Sequence, residues 1–172
     1  LQSHGTKESP DTKNFRAGIY AKATTSYQKL MRKDKNLTKK VASSHRFANH
    51  KKETIEKFQY ILEFGRANKN ISDEIKAKYN IKKRTVVPLC SNSPTPTLTT
   101  LPDDYIHYCE PRILTVREYA RIQSFPDSYE FKGGYTTGGD RRKSDVPRYT
   151  QIGNAIPPLF AEQAGLVLKD MI

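Results

Sequence analysis

The chain has 172 residues, 35% of them hydrophobic, and a formal net charge of +12. With a mean hydropathy of −0.76, this length allows one domain, or a larger and a smaller one, with a modest core and a polar remainder. No apolar run approaches the roughly 18 residues of a membrane span, and Leu1–Gly5 has neither a basic n-region nor an apolar h-region, so neither a membrane segment nor a secretory signal is expected.

In chain order, residues 1–14 are polar, with Gly5 and Pro10, and read as a flexible N-terminal segment. Weak apolar spacing from Phe15 to about Arg32 predicts a helix, Lys33 to Asn36 a turn, and residues 38–49 a short helix or an irregular basic segment. From Lys51 to Phe64 the spacing of Ile55, Phe58, Ile61 and Leu62 puts four apolar side chains on one helical face, and Gly65 can end that helix. Ser72 can cap a second helix running to Lys78, with Asp73 and Glu74 at the positive end of its dipole.

Thr85–Val87 and Tyr105–Cys109 read as short strands, and the Ser/Thr/Pro stretch from Ser91 to Pro102 as a linker. Thr115 and Glu118 have capping-box spacing, so a helix should start at about Val116, with Pro126 stopping it. The glycines and basic residues from Lys132 to Val146 predict a mobile loop. A last helix should run from about Pro158 to Lys169, its proline harmless in the first turn, with Leu159, Phe160, Ala164, Val167, Leu168 and Met171 forming a wide apolar stripe.

Cys90 and Cys109 are too few and too isolated for a disulfide framework or a zinc site, so reduced thiols, no metal and a cytoplasmic location are expected. The charge is unevenly placed. Residues 1–85 carry 21 Lys and Arg against 8 Asp and Glu, whereas residues 86–172 carry 9 against 10. Such an asymmetry points to a polyanionic partner for the first half.

Two runs are more specific. The stretch from Arg112 through Leu114-Thr115-Val116-Arg117-Glu118-Tyr119-Ala120-Arg121 to Phe125-Pro126-Asp127 resembles motif IX of the DNA (cytosine-5) methyltransferases. Gln151-Ile152-Gly153-Asn154-Ala155-Ile156-Pro157-Pro158 resembles their motif X, and Pro94 to Thr100 resembles the segment that enters motif IX. The resemblance covers roughly residues 93–172. It implies a bilobal enzyme: a Rossmann-like lobe that holds S-adenosylmethionine and the chemistry, and a small lobe that reads double-stranded DNA.

On that reading the fold class is α+β, a small recognition lobe of helices and short strands whose C-terminal helix would complete the Rossmann-like lobe. Residues 15–111 form the basic target-recognition region, 112–131 the motif IX helix, 132–148 the Gly/Arg loop, and 149–172 motif X with the terminal helix. Gly153, Asn154 and Ala155 fall where family members contact the cofactor, Gly153 allowing close backbone approach. Arg117, Glu118 and Arg121 would be scaffold charges paired across their helix.

Phosphate contacts are expected from Arg46, Lys51, Lys52, Lys82, Lys83 and Arg84, and from Arg141, Arg142 and Lys143, with His45, Asn49 and His50 as polar candidates for base reading. The family's Pro-Cys-Gln, Glu-Asn-Val and Phe-x-Gly-x-Gly runs do not occur in this sequence. The expectation is therefore a C-terminal part of such an enzyme, inactive alone, whose partner is a catalytic lobe or large subunit. The start at Leu1 favours a piece of a single-chain enzyme over a separate subunit. A stand-alone DNA-binding protein, or a remnant kept for protein interaction, are the alternatives.

Overall fold

The computed structural model describes residues 5–33, 41–136 and 145–171. Three short strands, β1 (Thr6–Glu8), β2 (Arg16–Ile19) and β3 (Val41–Arg46), form an antiparallel sheet in that order. Thr6 lies opposite Gly18 and Glu8 opposite Arg16, while the β2–β3 register shifts between Ala17 and Ile19. Within β3, Ser44 is buried and has φ of 62°, the left-handed region that costs a non-glycine residue energy unless its groups are held. They are held: Asp11 accepts from the Ser44 amide, and Arg148 donates to its hydroxyl at 2.9 Å.

These strands correct three expectations. The N-terminal segment is not wholly flexible, because residues 6–8 pair with β2 and Asp11 also accepts from the Tyr135 hydroxyl. The helix expected over 15–32 shrinks to α1 (Ser26–Met31), started by a Thr25–Gln28 capping box, while its first part pairs as β2. Within the range 38–49, expected as a short helix or an irregular segment, Val41–Arg46 is strand, with Val41, Ala42 and Ser44 buried. The expected turn at Asp34 to Asn36 lies outside the described residues.

The helices α2 (Lys52–Phe64) and α3 (Asp73–Lys78) follow the sequence pattern closely. Phe58 and Ile61 face inward from α2, the Gly65 amide closes that helix on the Ile61 carbonyl, and Ser72 caps α3. They build a core of Phe58, Ile61, Ile71, Ile75, Val86 and Ile106. Two parallel two-residue strands, β4 (Val87–Pro88) and β5 (Tyr105–Ile106), join it to a second core. Side chains alternate sides along a strand, so Ile106 enters the helical core and Tyr105 the second one.

That second core surrounds α4 (Val116–Ile122) and includes Leu98, Leu114, Val116, Tyr119, Phe125, Tyr149 and Ile152. The segment expected as a linker is irregular but packed. Leu98 is buried, the Tyr119 hydroxyl donates to the Thr99 carbonyl at 2.9 Å, and Asn68 donates to Ser93 and Pro94. Thr115 and Glu118 form the expected capping box.

The end of α4 is set before Pro126. The Phe125 amide reaches the Ala120 carbonyl, the Ser124 amide reaches Arg121, and Ser124 has φ of 60°. This is a helix-ending left-handed turn of the kind glycine usually makes. Serine serves here because its hydroxyl accepts from the Leu159 amide at 3.1 Å, near the start of the last helix.

The last two elements are α5 (Arg148–Gly153), a helical segment within the motif X run, and α6 (Pro158–Lys169). No described helix is long and apolar enough to cross a membrane.

Candidate cofactor wall and nucleic-acid face

The motif IX helix is buried nearly all round, so its charges must be paired or hydrogen-bonded. Arg117 is fully buried and donates to the carbonyls of Ser43 at 2.9 Å, Pro126 at 3.0 Å and Tyr129 at 2.7 Å, with Asp127 at 4.0 Å. Arg121 grips Asp127 through two bonds of 2.9 and 2.7 Å, and the Tyr20 hydroxyl donates to the same carboxylate at 2.6 Å. The Asp127 amide reaches the Met31 carbonyl, and the Tyr27 hydroxyl the Arg121 carbonyl. One short helix thereby ties down β3, α1 and the segment between β2 and α1.

Glu118 caps the Thr115 amide and takes two bonds from Arg112, at 2.7 and 2.8 Å. Burial works to raise the Glu118 carboxyl, but the Arg112 hydrogen bonds and charge overcome it and hold it well below the usual range. Burial likewise opposes ionisation of Asp127, and Arg121 reverses the effect. These three motif IX charges are scaffold, as expected, but they pair with other segments rather than with each other. Asp127 and Arg112 are equally important and carry no sequence signal beyond membership of the same run.

Motif X lies against this body. Ile152 is fully buried and the Tyr149 hydroxyl donates to the Leu114 carbonyl at 2.6 Å. Gly153 permits a close approach, though one within the chain: a Cβ there would lie 2.2 Å from the Thr99 carbonyl oxygen. Ala155 packs on the core. Asn154 is exposed, and no hydrogen bond from its side chain occurs among the described residues. Beyond it the surface turns apolar. Ile156 is 67% exposed, Phe160 66%, Leu168 60% and Met171 75%, and no residue of α6 is buried. Contiguous apolar exposure of this kind marks an interaction surface.

The basic candidates separate into two groups. Arg46 is clamped between the rings of Phe15 and Tyr135, 4.0 and 3.8 Å from their centres, and burial lowers its pKa. Lys83 sits 2.6 Å from both Asp103 and Asp104. Arg46 is held inside the fold and Lys83 in an ion pair at the rim of the fold, so both charges already have partners within the chain, which corrects their reading as phosphate contacts. Lys51, Lys52, Lys82 and Arg84 are exposed. A cleft of about 420 Å³ between α2 and the loop after α3 is lined by His50, Lys57, Asn80 and Lys82, so the helix start and that loop face one opening. Lys57 was not singled out in the sequence; the cleft reveals it.

His45 does not face solvent as a base reader would. Its Nδ1 lies 2.8 Å from the Thr115 hydroxyl, its ring stands where a Gly18 side chain would go, and burial lowers its pKa to about 4. His50 accepts from the Ile113 amide and meets Phe58 edge-on, so it too is structural, while Asn49 is exposed. Arg141, Arg142 and Lys143 lie outside the described residues.

The described residues therefore define a basic α+β unit whose motif X turn and last helix present an uncovered apolar wall. A family model for C-5 cytosine-specific DNA methylase matches residues 3–170. The chain is 33% identical over 131 residues to the type II methyltransferase M.AquIB of Picosynechococcus sp., covering 75% of this chain and 88% of that one. It is 33% identical over 150 residues to M.DdeI of Desulfomicrobium norvegicum, covering 79% and 34%. It is 36% identical over 125 residues to M.BbvI of Brevibacillus brevis, covering 68% and 30%. This chain belongs to the C-5 cytosine-specific DNA methylase family. It spans most of the first relative and about a third of the other two.

Proposed function

We propose that this chain is the target-recognition and motif X portion of a DNA (cytosine-5) methyltransferase. It acts on double-stranded DNA in the cytoplasm, with S-adenosylmethionine held between the motif X turn and a catalytic lobe that docks on α6. The observation that carries this reading is α6 itself: twelve residues, an apolar surface and no buried side chain. Covering a leucine, valine or phenylalanine fully is worth about 1.5–3 kcal/mol each, so a partner lobe has much to gain there.

The residues present fit one wall of the cofactor site. Asn154 offers a solvent-facing amide at the end of α5, Ala155 anchors the turn to the core, and the Gly153 approach to Thr99 fixes its depth. When bound, S-adenosylmethionine would supply the methyl group. The reactive thiol and the acid that assists it belong to the docking lobe, since neither Pro-Cys-Gln nor Glu-Asn-Val occurs in this sequence. The target cytosine must leave the stack at a cost of a few kcal/mol, offset by contacts to the surrounding duplex. Lys57 and Lys82, which line the α2 cleft, and the exposed Lys51, Lys52 and Arg84 would supply phosphate contacts.

The coverage of M.AquIB supports a separate-subunit arrangement, because a relative of comparable size exists; the coverage of M.DdeI fits the C-terminal part of a longer chain equally well. A stand-alone DNA binder is disfavoured by α6, which such a protein has no use for. The test is methyl transfer from labelled S-adenosylmethionine to duplex DNA, using this chain together with a lobe bearing Pro-Cys-Gln and Phe-x-Gly-x-Gly encoded beside or in frame with it. Activity in the mixture and in neither part alone is the expected result. Turnover by this chain alone above an empty-vector control, or no transfer by the mixture although both parts are folded, overturns the proposal.

A further inference from the structure

The turn that presents Asn154 is held at both ends by other segments. At the near end a Gly153 Cβ would collide with the Thr99 carbonyl, and the Thr150 hydroxyl reaches the Thr100 carbonyl at 3.4 Å. At the far end the Leu159 amide donates to the Ser124 hydroxyl at 3.1 Å, across 35 residues of chain. Ser124 follows the last turn of the motif IX helix.

We propose that Ser124 is a positioning residue for methyl transfer. It caps α6 from outside and thereby fixes the direction of residues 154–158, the stretch that the proposed function sets against the cofactor; the inference rests on that reading.

The first support is backbone conformation. Ser124 is buried and has φ of 60°, a region open to glycine and strained for serine. Ending α4 needs no hydroxyl, because the Phe125 amide closes the helix on the Ala120 carbonyl. A side chain kept where glycine would sit with less strain points to a use for that side chain.

The second support is the start of α6. The first amides of a helix have no partner within it, and Pro157 at the N-cap makes no side-chain hydrogen bond to them. Pro158 has no N–H, so Leu159 carries the first one, at the second helical position. That is a position whose amide a capping serine commonly bonds. Here the serine comes from another element, which makes the cap a tertiary contact as well.

The third support is how little else steadies the helix. No residue of α6 is buried, and among the described residues the bond to Ser124 is the hydrogen bond that joins α6 to another element. A twelve-residue helix is marginal when it buries nothing, so a cap on its first turn weighs more than it would in a packed helix.

The test compares Ser124→Gly, which removes both the hydroxyl and the strain, with Ser124→Ala, which removes the hydroxyl and keeps the strain. In the untagged full chain, amide hydrogen exchange read by mass spectrometry should quicken about fivefold over residues 159–165 in both variants, the loss of one N-cap contact. The melting temperature should drop in Ser124→Ala and hold in Ser124→Gly. In the mixture with a catalytic lobe, both variants should raise the KM for S-adenosylmethionine about fivefold with kcat nearly unchanged. A purely structural role would follow the melting temperature and spare Ser124→Gly. An inactive wild-type mixture overturns the function proposed above. This inference alone is overturned by an active mixture whose KM is unmoved in Ser124→Gly, by unchanged exchange over 159–165 in the variants, or by wild-type exchange there as fast as in an unfolded peptide.

Discussion

The motif IX helix and the terminal helix make opposite use of their residues. The seven-residue α4 carries Arg117, Glu118 and Arg121, yet it is buried nearly all round. The twelve-residue α6 is mostly apolar, yet none of its residues is buried. Hydrophobicity alone would have placed them the other way round. The charges of α4 enter the interior because each meets a fixed set of acceptors or a counter-charge, and that requirement fixes where β3, α1 and the 126–129 segment must lie. Among the described residues nothing buries the apolar surface of α6, and the proposed function assigns that surface to another lobe.

The sharpest way to break this contrast is Arg117→Leu. Three carbonyls lose their donor and Asp127 loses a neighbouring charge, and removing one member of a buried ionic network costs about 3–5 kcal/mol. Urea denaturation should show that loss, and a change below 1 kcal/mol would mean that Arg117 is not the organising charge.

Acid should act next. The fold keeps His45 neutral by burial, lowering its pKa to about 4 from an ordinary 6.5. The unfolded chain takes up that proton first as pH falls. The contribution of His45 is therefore complete above pH 6.5 and lost between 6.5 and 4, by about 3 kcal/mol at most. Glu118 works the same way further down, its depressed pKa giving stability that is present above 4.5 and lost as pH falls through the folded value. His45→Gln should flatten the upper part of the stability-versus-pH curve and leave the lower part in place.

Gly153→Ala should come third. A Cβ would fall 2.2 Å from the Thr99 oxygen and 2.9 Å from the Thr100 Cα, backbone that cannot simply rotate away. Overpacking of this kind costs about 1–3 kcal/mol, visible as a lower melting temperature of this chain without any partner or cofactor.

The smallest effect on the isolated chain should come from Leu166→Gln with Leu168→Gln on α6, since both are more than half exposed. Stability should change within about 0.5 kcal/mol, while association with the catalytic lobe in a pull-down fails. Substantial destabilisation of the isolated chain would show instead that α6 is part of its core.

Local signals were the legible part of the fold. The stripe of Ile55, Phe58, Ile61 and Leu62, the Ser72 cap and the Thr115–Glu118 box each act within one turn of chain; α2 and α3 lie within a residue of their expected bounds, and α4 starts at Val116 as expected but ends at Ile122, short of Pro126. The strands were harder. In β2 and β3 only two or three residues each face inward, and their pairing partners are 8 to 29 residues distant, so no single turn of chain contains the reason for them. The Thr25–Gln28 box was visible in principle but was overlooked within a longer, weaker apolar pattern.

For the candidate site, the motif runs drew attention to two stretches, and burial showed what the side chains inside them touch. Arg46 and Lys83 look like any surface cation in sequence; one is stacked between two rings and the other held by two aspartates. Composition, helix-length periodicity and the two motif runs, being properties of neighbouring residues, were determined by the sequence by itself. Which charges go inside and why Gly153 must lack a side chain were decided only by tertiary structure. A buried charge or a crowded backbone acquires its energy from atoms brought to it by folding.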